Sequence, residues 1–178
     1  DLPPERIARY PLEQRDASKL LLWRDGTIEH RTFRELPNLL TGHETLFFNN
    51  TKVIPARLYF YRSTGGLVEV FLLHPVTPHL VELAMRSTTA VEYECTIGGL
   101  KRWVEGTTLE RHFDVENEHF TLKVTLLDKA KMRVRFEWDD PRLPFAKIIE
   151  LSGHVPIPPY LNRASEEADK TTYQTVYS

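Results

Sequence analysis

Three short stretches of this 178-residue chain carry side chains whose types and spacing could do chemistry. In FFNNTKVIPARL, Phe47 to Leu58, a strand-like apolar front is interrupted by Asn49, Asn50 and Thr51, and Arg57 is embedded where the apolar pattern resumes. Amides, a hydroxyl and a guanidinium at one strand end suit a polyhydroxylated or anionic ligand, because buried polar groups need partners. A structural turn is the alternative, since Asn tolerates left-handed backbone. In LYFYRSTGGLVEV, Thr64, Gly65 and Gly66 mark a turn ahead of Glu69. Glycines there serve a plain hairpin or let a ligand approach the backbone closely, with Glu69 as a base or hydroxyl acceptor. In VPIPPYLNRASEEADKTTYQTVYS, Pro158 and Pro159 stiffen the approach to Tyr160, and Arg163, Asp169, Tyr173 and Gln174 add polar and aromatic groups. Tyr173, Val176 and Tyr177 could equally be the core face of a helix.

A fourth pattern is electrostatic. Lys129, Lys131, Arg133 and Arg135 alternate with Ala130, Met132, Val134 and Phe136, so a strand would present its cations on one face. That face is either a track for RNA phosphates or the solvated outside of a barrel. No dinucleotide, P-loop or serine-hydrolase motif occurs, and the seven histidines lack a helical metal-ligand spacing, so no metal site is expected.

The elements that must hold these groups change character along the chain. Pro3 or Pro4 opens a short helical turn. KLLLWRDGTIEHRTF reads as a hairpin about Asp25-Gly26, and Thr32 with Glu35 has the spacing of a capping box ahead of a helical stripe ended by Gly42. From Val68 to Trp138 the period is mostly two. LVEVFLL, LVELAMR, VEYECTI and TLERHF read as strands, and HFTLKVTLL with KMRVRFEW as a hairpin, which together suggest a small antiparallel barrel or sandwich. Phe145, Ile148 and Ile149 then fit a helix stopped by Gly153, and Ser165 is a candidate N-cap for a last helix beginning at Glu166 and Glu167. The simplest organisation is mixed α/β: residues 1–60 as the first part of an α/β domain, 61–140 as an inserted β-barrel, and 141–178 as the return.

Composition bounds the function. A formal net charge of −2 gives no global basic footprint, so a nucleic-acid partner would need a local patch. A single cysteine, Cys95, excludes an intrachain disulfide and suits a reducing, cytoplasmic setting. No apolar run approaches the ~20 residues of a membrane helix, so no membrane partner is expected. The chain begins at Asp1 and ends inside a plausible helix, as part of a longer protein would.

In order and spacing, LPPERIARYPLEQRDASKLL, FFNNTKVIPARL, STGGLVEVFLL and HVPIPPYLNRASEEADKTTYQTVYS resemble the N-terminal half of the S-adenosylmethionine:tRNA ribosyltransferase-isomerase family of queuosine biosynthesis. The resemblance implies a split α/β barrel-like domain, incomplete here, with an inserted small antiparallel β-barrel. It implies transfer of the ribosyl group of S-adenosylmethionine to 7-aminomethyl-7-deazaguanine at the wobble position of tRNA. Rearrangement to epoxyqueuosine follows, with release of adenine and methionine. S-adenosylmethionine is then a substrate, no metal or redox cofactor is implied, and a monomer is expected. Placed on that chemistry, Glu69 and Asp169 are the candidate bases. Asn49, Asn50, Thr51, Arg57, Thr64, Gly65, Gly66, Tyr160, Arg163, Tyr173 and Gln174 are candidate substrate-binding groups, and Lys129, Lys131, Arg133 and Arg135 candidate RNA contacts. The stretch RSTTAVEYECTIGGLKRWVEG departs from the arginine-proline-serine and lysine-rich segment usual in the family, and the family continues beyond YQTVYS. A non-catalytic RNA-binding module and a paralogue acting on another nucleoside are the alternatives.

Overall fold

Alternation of apolar and polar residues builds most of the regular structure in the computed structural model, which describes residues 2–166 and 168–175. The chain divides into two compact units: a terminal unit, Asp1–Lys52 with Ile157–Ser178, and a β unit, Val53–Pro156.

The terminal unit is held largely by local polar motifs. A 3-10 turn, Pro4–Arg6, starts with its proline at the first position, where the missing N–H costs nothing. Strands β1 (Lys19–Arg24) and β2 (Thr27–Thr32) pair antiparallel about Asp25 and Gly26, both at positive φ, the geometry of a tight two-residue hairpin. The expected capping box forms: the Thr32 N–H and hydroxyl both donate to Glu35 Oε2, at 2.7 and 2.8 Å, and a 3-10 turn leads into the short helix α1 (Leu36–Leu39).

The β unit contains β3 (Arg57–Tyr61), β4 (Leu67–Thr77), the helix α2 (Val81–Arg86), β5 (Ala90–Gly98), β6 (Thr108–Val115), β7 (Glu118–Asp128), β8 (Arg133–Trp138) and the helix α3 (Phe145–Ser152). The strands form one antiparallel sheet of order β3-β4-β5-β8-β7-β6. Its two end strands approach each other, and Arg111 Nη1 donates to the Tyr59 carbonyl at 3.2 Å across that seam, giving a nearly closed barrel. Leu58, Phe60, Val68, Val70, Leu122, Val124, Val134 and Phe136 point inward and are buried. Phe145 of α3 plugs this core, its ring 5.5–5.6 Å from those of Tyr93, Phe136 and Trp138. Gly153 caps α3 in extended conformation, and the position demands glycine because a Cβ there would collide with the Pro55 carbonyl.

Four expectations are corrected. LVELAMR is helical (α2): a short apolar run has no diagnostic period, and Leu, Glu, Ala and Met favour helix. The front of FFNNTKVIPARL is not a strand, and its phenylalanines are exposed. Lys129 and Lys131 precede β8 in a turn that includes Met132 at positive φ, so the alternating array begins only at Arg133. The last helix, α4, is a single turn, Asp169–Thr172, without a side-chain cap from Ser165. The readings of Glu167, Val176 and Tyr177 lie outside the described residues.

Candidate functional site

In the terminal unit the C-terminal stretch is organised around a buried ion pair. Arg163 Nη1 and Nη2 donate to the two oxygens of Asp169 at 2.7 Å each, a bidentate geometry that suits the planar guanidinium. The two side chains are only 9% and 4% exposed. Asp169 Oδ2 also accepts the Glu166 N–H at 2.7 Å, and Arg163 donates to the carbonyls of Arg9 and Ala164, each at 3.0 Å. The guanidinium lies 4.5 Å from the Tyr10 ring centre, and the Tyr10 hydroxyl donates to Glu166 at 3.0 Å. Hydrogen bonding to Arg163 holds the Asp169 carboxyl below its ordinary value, and the same bonds push the guanidinium up. The glutamate beneath the Tyr10 hydroxyl raises that phenol.

Beside this network lies a cleft of about 490 Å³ lined by Tyr10, Arg15, Thr172, Tyr173, Gln174 and Thr175, among others. That volume is in the range of small-ligand sites. Arg15 reaches the Gln174 carbonyl with two long bonds of 3.4 Å. The Thr175 hydroxyl donates to the Thr51 carbonyl at 2.8 Å, which brings FFNNT to the rim of the C-terminal stretch. Asn49 closes a local turn there: its Oδ1 accepts the Thr51 N–H at 3.0 Å and the Thr51 hydroxyl at 2.6 Å. Asn50 and Tyr160 are exposed. Aromatic, guanidinium and amide groups around one cleft can stack on and hydrogen-bond a heterocycle.

In the β unit, Arg57 and Glu69 meet on the outer face of β3 and β4, Nε to Oε1 at 2.8 Å, but the N–H is not aimed along that line. Arg57 also lies 5.8 Å from the centre of the Phe71 ring. Thr64, Gly65 and Gly66 form the β3–β4 turn, with Gly65 at positive φ. Arg133 and Arg135 do share the outer face of β8, where Glu94 and Glu92 stand opposite, each at 3.8 Å, and Glu137 lies 3.4 Å from Arg135. Lys129 Nζ donates to the carbonyls of Lys101 and Trp103, and Lys131 lies 3.9 Å from Asp128. Among the described residues, no group of three or more His, Cys, Asp or Glu could hold a metal ion, and no helix is long and apolar enough to cross a membrane.

Sequence reasoning missed Tyr10 and Arg15, whose stretch ARYPLEQR carries no local motif and gains meaning only beside residues 172–175. It also missed Arg62, Arg102 and Lys123, gathered in a second cleft in the β unit.

The chain matches the family described as queuosine biosynthesis protein over residues 1–178. It is 37% identical over 180 residues to the S-adenosylmethionine:tRNA ribosyltransferase-isomerase of Aquifex aeolicus, covering 100% of this chain and 48% of that protein. It is likewise 37% identical over 179 residues to the enzyme of the same name from Trichlorobacter lovleyi, covering 99% of this chain and 47% of that one. The chain thus spans about half the length of these relatives. No solved structure matches significantly.

Proposed function

This chain belongs to the queuosine biosynthesis protein family, and on that premise we propose that it forms part of an enzyme that transfers the ribosyl moiety of S-adenosylmethionine to 7-aminomethyl-7-deazaguanine in tRNA and isomerises it to epoxyqueuosine. The observation that carries the reading is the match over the whole chain to relatives bearing that enzyme's name. S-adenosylmethionine enters as a substrate, without a metal or redox cofactor, and the terminal unit forms part of a split α/β barrel-like domain.

Within this reading the cleft at Tyr173, Gln174 and Arg15 supplies a stacking surface, an amide and a cation for the nucleoside. Arg163 and Asp169 act as positioning residues: every Asp169 oxygen is already accepting, so its carboxylate holds the cleft wall in place instead of taking a substrate proton. Glu69, on an outer strand face beside Arg57, is the remaining candidate base for the proton next to the sulfonium. Asn49, Asn50 and Thr51 offer amide and hydroxyl groups to ribose oxygens. Of the four basic residues read as RNA contacts, Lys131 is the most exposed and meets a phosphate at least cost; like Arg133 and Arg135 it has a carboxylate near 4 Å, Asp128, but its ammonium stays in solvent.

The test is adenine release from S-adenosylmethionine in the presence of tRNA carrying the aminomethyl base, for this chain and for the protein at the length of its relatives. Adenine release that requires the modified tRNA supports the reading. Its absence from both proteins, with the modified tRNA intact, overturns it.

A further inference from the structure

The β unit's cleft, about 1110 Å³ between the β3–β4 turn, the segment after β5 and the outer face of β6 and β7, gathers three cations. Arg62, Arg102 and Lys123 line it, and among the described residues none of the three has a carboxylate within ion-pair distance. Two acids share the cleft. Glu137 lies 3.4 Å from Arg135, and Glu110 and Glu137 both stand opposite Lys123 in the strand registers without coming within ion-pair distance of it.

Arg62 is the most constrained of the three. Its backbone closes the turn, with the Arg62 N–H donating to the Gly66 carbonyl at 2.9 Å and the Gly65 N–H donating back at 2.8 Å. Its guanidinium occupies the space beside Gly66, where any Cβ would collide with it. Nε and Nη1 are buried and have no acceptor. A buried donor left unmade costs about 1–3 kcal/mol, more when charged, so the guanidinium gains by shifting from this seat toward an acceptor held in the cleft that Arg62 lines. Gly66 is therefore the seat of a guanidinium; the close approach read from the sequence is made by the chain's own Arg62.

We propose that this cleft is a phosphate-binding site for RNA, centred on Arg62, an inference that rests on the tRNA-modifying reading above. Arginine matches phosphate bidentately, and Arg102 and Lys123 add charge from the cleft walls. The cleft is far larger than a lone phosphate needs, and Tyr61, exposed at its rim, offers an aromatic face on which a base stacks. Cations interleaved with an exposed aromatic are the recognition chemistry of a nucleic-acid strand.

The experiment is fluorescence anisotropy with a labelled tRNA anticodon stem-loop across a salt series, alongside inorganic phosphate titrated against the Arg62 Nε–H resonance by NMR. Arg62→Gln should weaken RNA binding about tenfold, the value of one charge-assisted bond, and lower the salt slope by about 0.7–0.9. Gly66→Ala keeps every charge but displaces the guanidinium, so it should also lose affinity while Arg62→Lys falls between. Gly66 is not at positive φ, so the alanine strains no backbone; should Arg62→Gln fail to fold, the alanine and lysine variants decide. Wild-type affinity in Arg62→Gln or in Gly66→Ala overturns the proposal. A resonance moved by inorganic phosphate and not by RNA overturns RNA as the ligand and assigns the cleft to a small anion. Adenine release is read separately: RNA binding through Arg62 without turnover sinks only the catalytic reading, and turnover indifferent to Arg62 sinks only this one.

Discussion

Phe136, Phe145 and Trp103 of the β unit are sealed inside a nearly closed barrel, while Trp23, Phe47 and Phe48 of the terminal unit stand in solvent, Phe47 at 93% exposure. Among the described residues of the terminal unit only Ile157, Leu161 and Asp169 are buried. The two units are thus ordered by different forces. The β unit is a hydrophobic construction in which few polar groups, among them Asp140, Ser152 and the Tyr93 hydroxyl, are buried. The terminal unit relies on closed polar motifs: the Thr32–Glu35 box, Glu44 accepting from Thr41 and Gly42, the Asn49 turn and the Arg163–Asp169 pair. Barrels bury apolar area cooperatively; small polar motifs each fix a few residues and depend on charge state.

The largest expected effect breaks this comparison at its apolar end. Phe136→Ala should cost about 3–5 kcal/mol in urea unfolding, as large-to-small changes at fully buried aromatics do. Phe47→Ala should stay within about 0.5 kcal/mol in this chain. Similar losses for both would show that the terminal unit packs in solution in a way the exposures deny. Acrylamide should discriminate the same way, quenching Trp23 while sparing Trp103 and Trp138; Trp23→Phe should abolish the quenchable fraction.

The next effect breaks the comparison at its polar end. Asp169→Asn removes the acceptor of a buried bidentate pair and should lower the melting midpoint of the terminal unit, whereas Glu69→Gln breaks a half-exposed pair worth at most about 1 kcal/mol. The pH dependence has a fixed sign. Asp169 has a depressed folded value, so its contribution is fully present above its ordinary 3.8 and is lost as pH falls through the folded value. Glu44, held near 2 by the backbone N–H groups of Thr41 and Gly42, acts in the same direction. Asp139 and Asp140 of the β unit are lowered as well, by the Thr121 N–H and by Arg142, but they hold one turn after β8 and not the apolar core. Acid below about pH 4 should therefore loosen the terminal unit before the barrel strands, as followed by residue-resolved amide exchange. Simultaneous loss of both units would refute the division of labour.

The same contrast decides what could be read from the sequence. Period-two alternation in Val68–Val70–Leu72 or Val134–Phe136–Trp138 reports burial directly, so the barrel strands and the α3 helix were legible. The capping box and the Asp25-Gly26 turn were legible because their partners lie within three residues. The Arg163–Asp169 pair was visible only as two residue types, since which of them would engage is decided by the fold of residues 163–169. Tyr10 meeting Glu166, or Arg62 lying on Gly66, left no periodic trace at all. Local motifs and repeating patterns survive in one dimension; pairings set by chain reversal do not.

The smallest expected effect sharpens the comparison inside the barrel. Tyr93 is 2% exposed, its ring packs 5.5 Å from that of Phe145, and its hydroxyl is buried without a hydrogen-bond partner. Burial pushes that phenol up to about 12, and it pushes the neighbouring Cys95 thiol up as well. A core built on apolar packing gains nothing from an unmade hydroxyl bond, and the desolvation cost of such a group is about 1–3 kcal/mol. Tyr93→Phe keeps the ring contacts and deletes the unpaired oxygen. It should therefore leave stability unchanged or raise it by up to about 1 kcal/mol in urea unfolding. A clear loss would mean that the hydroxyl has a partner in solution and that the barrel, like the terminal unit, draws on polar pairing for its order.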